Sequence, residues 1–367
     1  MQQQKSSLTD DSIALIKNSK SYGTTLLILI ILLILSVGLS VSLGQVQIPL
    51  KDSYSILLNK LFGIKTAAFE NISQDSYVDI IWLIRFPRVL TALLVGASLT
   101  MCGTIMQASV QNPLADPYIL GISSGASLGA TFSILIGFGA TSFIGQSSVA
   151  FGAFVGAFGA ALLVLALANI GGRVTSSKLI LSGMVVNALF TAFSNFIVYF
   201  ANDAEGIKTV TFWVMGSLAS AKWDRLPLLS IVVITAITFF ITQSRILNTM
   251  LIGDETAVTL GINLGIYRKA YLLFSSLLTG IVVASCGMIG FVGLIIPHIV
   301  RSLVGANHKK LMPVSILLGA LFLILADLLS RIILPTSEIP IGIITSMIGA
   351  PLFMYMLIKK GYGFGGR

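Results

Sequence analysis

Charge is what this 367-residue chain has least of: Asp, Glu, Lys and Arg make up 10% of it, against about 25% in soluble domains. That scarcity, with 55% hydrophobic residues, excludes an ordinary water-soluble globule and points to a chain that takes lipid as solvent. Cysteine is nearly absent; Cys102 and Cys286 both fall inside apolar runs. This excludes a disulfide framework and any Cys/His metal spacing, and leaves two thiols that read as small buried hydrophobes. His298 and His308 are the only histidines, and neither has an acid and a nucleophile at a recognisable spacing. No catalytic residue and no metal ligand is therefore expected, and His298 reads as a satisfied polar side chain near a helix start. No G-x-x-x-x-G-K-[ST] occurs, so the chain holds no P-loop ATPase of its own. Asn71 in "NIS" is a glycosylation pattern by letters only.

What the chain has instead is apolar runs. A hydrocarbon core roughly 30 Å thick takes about 20 residues of helix, and such runs lie near 24–45, 87–110, 117–137, 148–169, 179–201, 226–244, 268–289, 293–304, 312–333 and 340–358. Ten crossings are expected in an all-α polytopic membrane protein, with nine or eleven open because the eighth run is short. The first run, Thr24–Gly44, follows a polar segment without a clear cleavage site and reads as a retained helix. The expected organisation is a polar segment 1–23, one transmembrane domain 24–360 with halves 24–201 and 226–358, and a tail 361–367. The net charge of +9 sits on Lys and Arg in short loops, which suits orientation better than nucleic acid. With both termini in the cytoplasm, 14 of the 23 Lys and Arg lie inside, as the positive-inside rule favours.

One pattern is stated twice. Gly96, Cys102, Gly103, Ile105 and Pro113 recur as Gly280, Cys286, Gly287, Ile289 and Pro297, all at an offset of 184, and Gly121 and Gly305 fit the same register. The copies lie on the second and seventh runs, an odd number of crossings apart, so they traverse the membrane in opposite directions. That is the mark of two inverted five-helix repeats, an architecture that places the route at the repeat interface.

The polar residues leave alternatives. "NPLADP" ends one helix near Asn112 and restarts the chain after Pro117, and Gly121, Gly125 and Gly129 make a small face for helix packing or for a ligand. Asn187, Thr191, Ser194 and Asn195 fall on one helical face, to bond a neighbouring helix or to line a wet route. In the inner loop 245–268, Asp254 is a candidate N-cap beside Glu255, Gly261 a stop, and Ala257 and Leu260 a small apolar face for a partner or for the lipid surface. Arg85, Arg88 and Arg331 lie near the outer surface, where they suit carboxylates of a docking protein, snorkelling, or a local pair of Asp327 with Arg331.

The stretches "RFPRVLTALLVGASLTMCGTIMQASVQNPLADPYILGISSGASLGA", "GMIGFVGLIIPHIVR", "LADLLSR" and "EIPIGIITSMIGAPLF" resemble the permease subunits of ABC importers for iron siderophores, haem and cobalamin. The resemblance runs from about residue 24 to the C-terminus. It implies a type II importer permease in a prokaryotic inner membrane, paired with a second permease, identical or paralogous. It further implies two ATPase subunits that hold the ATP and Mg, an external substrate-binding protein, and no cofactor on this chain. It also implies roles: docking for Arg85, Arg88 and Arg331; the inner gate for Ser176 and Ser177; ATPase coupling for Asp254, Glu255, Ala257, Leu260 and Gly261; and a pathway lining of Asn187, Thr191 and Asn195. One departure is the Ser176–Ser177 pair where the cobalamin permease has Thr-Ser. The expected cargo is a ferric siderophore or haem, with cobalamin as the alternative and a proton-coupled secondary transporter as the rival of another class.

Overall fold

The computed structural model describes residues 2–64, 69, 75–137, 148–172, 174–253, 257, 259 and 261–360, the side chains of 2–21, 75, 119, 357, 359 and 360 apart. Among the described residues there is no strand, and the helices are α1 (Gln2–Ser42), α2 (Leu50–Phe62), α3 (Phe86–Ser109), α4 (Ile122–Leu135), α5 (Ser148–Asn169), α6 (Ser176–Phe200), α7 (Ala204–Val214), α8 (Leu226–Thr242), α9 (Ser244–Ile252), α10 (Leu264–Cys286), α11 (Val292–Val304), α12 (His308–Ile332) and α13 (Ile341–Lys360). The polar residues expected as a segment apart are drawn into α1, which runs unbroken from Gln2.

Among the described residues, six helices are long and apolar enough to cross a membrane, α8 and α9 form a pair bent by 57°, and α4, α11 and the first part of α13 are shorter apolar helices. By length and composition this gives six spans, or seven with the bent pair counted as one, against the ten runs expected. At about 1.5 Å per residue, α4 and α11 reach only about 20 Å, too little for the hydrocarbon core. Irregular segments complete them: a 3-10 turn at Pro117–Leu120 before α4, and residues 287–291 before α11.

The duplicated glycines explain the packing. Gly96 on α3 meets Gly319 and Leu323 of α12, while Gly280 on α10 meets Phe154 and Ala157 of α5. Second helix against ninth, and seventh against fourth, are equivalent pairs under the inverted repeat. In lipid, where helices associate by close packing, the missing side chain at Gly96 admits the backbone of Gly319, while Gly280 rests at ordinary contact distance on side chains of α5. Gly103 faces Gly293 so closely that a methyl on it would strike that carbonyl. The small face of α4 serves the same end, with Gly125 against Gly156 and Gly129 against Gly152 of α5.

The entry to α3 follows from one residue. Pro87 has no N–H and its ring displaces the carbonyl ahead of it; the preceding turn, Ile80–Arg85, widens to π geometry and Phe86 N–H bonds Ile81 O. In that register Trp82 O would accept from Pro87, which cannot donate. Trp223 Nε1 takes the place at 2.6 Å, with its ring 4.7 Å from that of Trp82. The proline thereby pins the loop before α8 to α3.

Candidate substrate pathway and partner faces

At the end of the bundle where α1 closes, five charged residues converge. Arg88 Nε bonds Asp327 Oδ1 at 2.8 Å and its Nη1 bonds Glu338 Oε2 at 2.8 Å. Arg331 Nε bonds the other oxygen of Asp327 at 3.1 Å, across one turn of α12. The rest of Arg331 reaches Leu43 O, Ser40 O and Ser40 Oγ, and Arg85 donates to Val41 O, Ser42 O and Val46 O. Two guanidiniums thus cap the C-terminal carbonyls of α1, where a helix dipole favours positive charge. Arg85, Arg88 and Arg331 are 4–5% exposed: the structure places all three inside the outer rim, joining α1, α3, α12 and the loop before α13. Glu338, which the sequence reading did not single out, is the exposed member of the group.

At the opposite end, three contacts tie the segments flanking the loop around Gly261 to the body. Gln111 Nε2 donates to Met250 O at 2.7 Å, Arg268 Nε to Ser109 O at 2.7 Å, and the Asn248 carboxamide bridges Asn307 and His308 at the start of α12. The end of α3 is therefore held by both α9 and α10, which flank the loop. Asp254, Glu255 and Leu260 lie outside the described residues. Ala257 corrects the expectation of a partner-facing side chain, because it is wholly buried in the chain's own core; Gly261 is exposed, in the left-handed region at φ 72°. Ser176 and Ser177 open α6 behind Thr175, whose Oγ1 caps Lys178 N–H at 3.4 Å.

Along α6, Asn187, Thr191 and Asn195 are exposed on one stripe, whereas Ser194 turns inward to Thr131 at 3.1 Å. The four residues therefore divide between two faces.

Between these ends the two irregular segments meet. Cys102 Sγ donates to Ser275 O at 3.6 Å, and Ser275 is the middle residue of α10. The adjacent Gly103 lies on Gly293, the second residue of α11, so α11 begins near mid-depth. The Tyr118 hydroxyl, from the 3-10 turn before α4, donates to Ile289 O at 3.1 Å and faces Ile289 N at 3.3 Å. It thus meets both polar groups of a peptide that no helix serves. Below it, Asp116 Oδ1 accepts Tyr118 N–H at 2.9 Å. A separate cavity of about 860 Å³ opens between α7 and the outer parts of α4, α5 and α10, with Lys208, Glu205 and Trp213 in its wall.

This arrangement has close relatives. The model of the FecCD transport family matches residues 28–359. The hemin transport system permease protein HmuU of Yersinia pestis is 35% identical over 86% of this chain and 98% of its own. The molybdate import system permease protein MolB of Haemophilus influenzae is 34% identical over 94% and 98%. A solved inward-facing structure of a metal-chelate type ABC transporter superimposes with a TM-score of 0.78 at 31% identity, covering 92% of this chain and 99% of that one. The chain belongs to the FecCD transport family and is the permease of an ABC importer.

Proposed function

We propose that this permease carries a metal chelate, a ferric siderophore or haem, inward across the cytoplasmic membrane of a prokaryote. The observation that carries the reading is the likeness, over 92% of the chain, to a metal-chelate type transporter, beside a haem permease of nearly the same length. In this reading the termini are cytoplasmic and a second permease completes the passage. Two ATPase subunits hold ATP and Mg, and an extracytoplasmic binding protein delivers the cargo. Cobalamin, by family resemblance, is the second choice.

The binding protein docks on the outer rim that Arg85, Arg88 and Arg331 organise. Because their side chains are spent on internal partners, their part is to hold that rim in shape and to orient Glu338. Closure of the ATPases moves the loop around Gly261. The ties of Gln111 and Arg268 then carry the movement to the end of α3 and the break before α4, while the Asn248 ties carry it to α12. Ser176 and Ser177 form the inner gate, and Asn187, Thr191 and Asn195 line the wet side of α6. A proton-coupled mechanism finds less support, since both oxygens of Asp327 are engaged by guanidiniums.

The test is ATPase activity of the complex reconstituted in liposomes, with binding proteins loaded with haem, ferric siderophore or cobalamin. Stimulation by a loaded chelate is expected. Failure of any ATPase subunit to assemble with this chain, with uptake following a proton gradient, would sink the reading.

A further inference from the structure

A cavity of about 490 Å³ opens where α7 ends, α10 breaks and α13 begins. Its wall carries three of the chain's eleven methionines, Met215, Met288 and Met347, with the hydroxyls of Tyr118, Ser123 and Ser346 between them, and none of its lining residues is charged. Backbone brings the methionines together. Gly342 N–H donates to Met215 O and Ile341 N–H to Gly216 O, each at 3.1 Å, and Ser217 N–H donates to Cys286 O at 2.8 Å. The approach is so close that a methyl on Gly216 would strike Met288 O and one on Gly342 would strike Met215 O. Three segments distant in sequence are locked together at the main chain. Met288 and Tyr118 also flank the mid-depth meeting of the two irregular segments. Non-helical backbone at that depth is tolerated where it is buried or lines a watered cavity, and interrupted helices in transporters mark binding positions.

We infer that this cavity is where the permease touches its cargo in passage, and that the cargo it fits is a chelate with an apolar organic shell, not a small hydrated oxyanion. The inference rests on the metal-chelate reading above. Methionine is unbranched and polarizable; it shapes itself to irregular apolar surfaces and to aromatic edges without one fixed rotamer, which suits a site that must release what it touches. An oxyanion entering the same wall would give up water and meet no cation, a costly exchange. An organic shell brings its own surface to the thioethers, and the three hydroxyls suffice to orient it.

The test measures uptake of haem, ferric siderophore, cobalamin and molybdate into proteoliposomes holding the full complex, with Met347→Gln, Met288→Gln and the matching Leu variants. Chelate uptake is expected to fall about five- to tenfold in the Gln variants, which place an amide against the apolar shell, and to stay within about twofold in the Leu variants. Met347 is 69% exposed, so its replacement leaves the core intact and decides the matter should Met288→Gln fail to assemble. Chelate uptake unchanged in Met347→Gln, or Leu variants as impaired as Gln, overturns the inference and leaves the metal-chelate reading standing. Molybdate uptake by the unaltered complex as fast as that of any chelate overturns the inference. Absence of chelate uptake by the unaltered complex overturns the metal-chelate reading itself, and the inference with it.

Discussion

Asp327 is wholly buried between two guanidiniums, and removing Arg88 leaves one of its oxygens without a cation and Glu338 without its ion pair. Arg88→Ala is expected to destabilise the protein by about 3–5 kcal/mol, the usual cost of breaking a buried pair from one side, read as a lowered melting temperature in detergent. Arg88→Met combined with Asp327→Leu is expected not to recover that loss, because it strands the buried Arg331 guanidinium that Asp327 also pairs.

At the scale of elements, the irregular breaks before α4 and α11 depend on how closely α3 can approach α11. Gly103→Leu is expected to push the two apart at Gly293 and to cost at least about 1–3 kcal/mol, as overpacking does. The same replacement at Gly159, which has no neighbour within 4 Å of its missing side chain, is expected to be near neutral; folded yield and melting temperature compare them. The repeat was legible in the sequence because close helix contact in lipid demands glycine, and a demand met twice leaves two copies in register. The helices α2 and α7 are not legible in the sequence, being short and lying between spans where no long apolar run announces them; α9, the bent continuation of α8, falls almost wholly in the expected inner loop 245–268. The cytoplasmic helix expected after Asp254 falls largely outside the described residues.

For the whole molecule, α6 is the least covered of the long spans: 17% of its most apolar window is buried within this chain. Its exposed stripe of Asn187, Thr191 and Asn195 stands on that open side, where a second copy and a watered passage would both meet it. Cys102 and Cys286 are buried, so a single added cysteine reports alone. Asn195→Cys is expected to react with a water-soluble maleimide in intact membranes, and Ile231→Cys on α8, 65% exposed, to stay unlabelled in lipid. Equal protection of both would place the α6 stripe in lipid or in a dry interface.

Composition by itself determined that lipid is the solvent and helix the structure, because backbone satisfaction leaves an apolar chain few other choices; how many of the ten apolar runs become full-length spans, six or seven, was decided by the tertiary structure. The same letters identified Arg85, Arg88 and Arg331 as a group without revealing that they face inward. The acids of Arg88 lie 239 and 250 residues away, on α12 and the loop after it, and pairing across that distance is settled by packing alone, whereas the i,i+4 pair of Asp327 with Arg331 could be read from spacing. The methionine cavity was equally hidden: Met215, Met288 and Met347 share no periodicity or motif, and only the backbone junction at Gly216 and Gly342 brings them to one wall. Local pattern reports what each segment needs from its solvent, whereas a site is made of what distant segments need from one another.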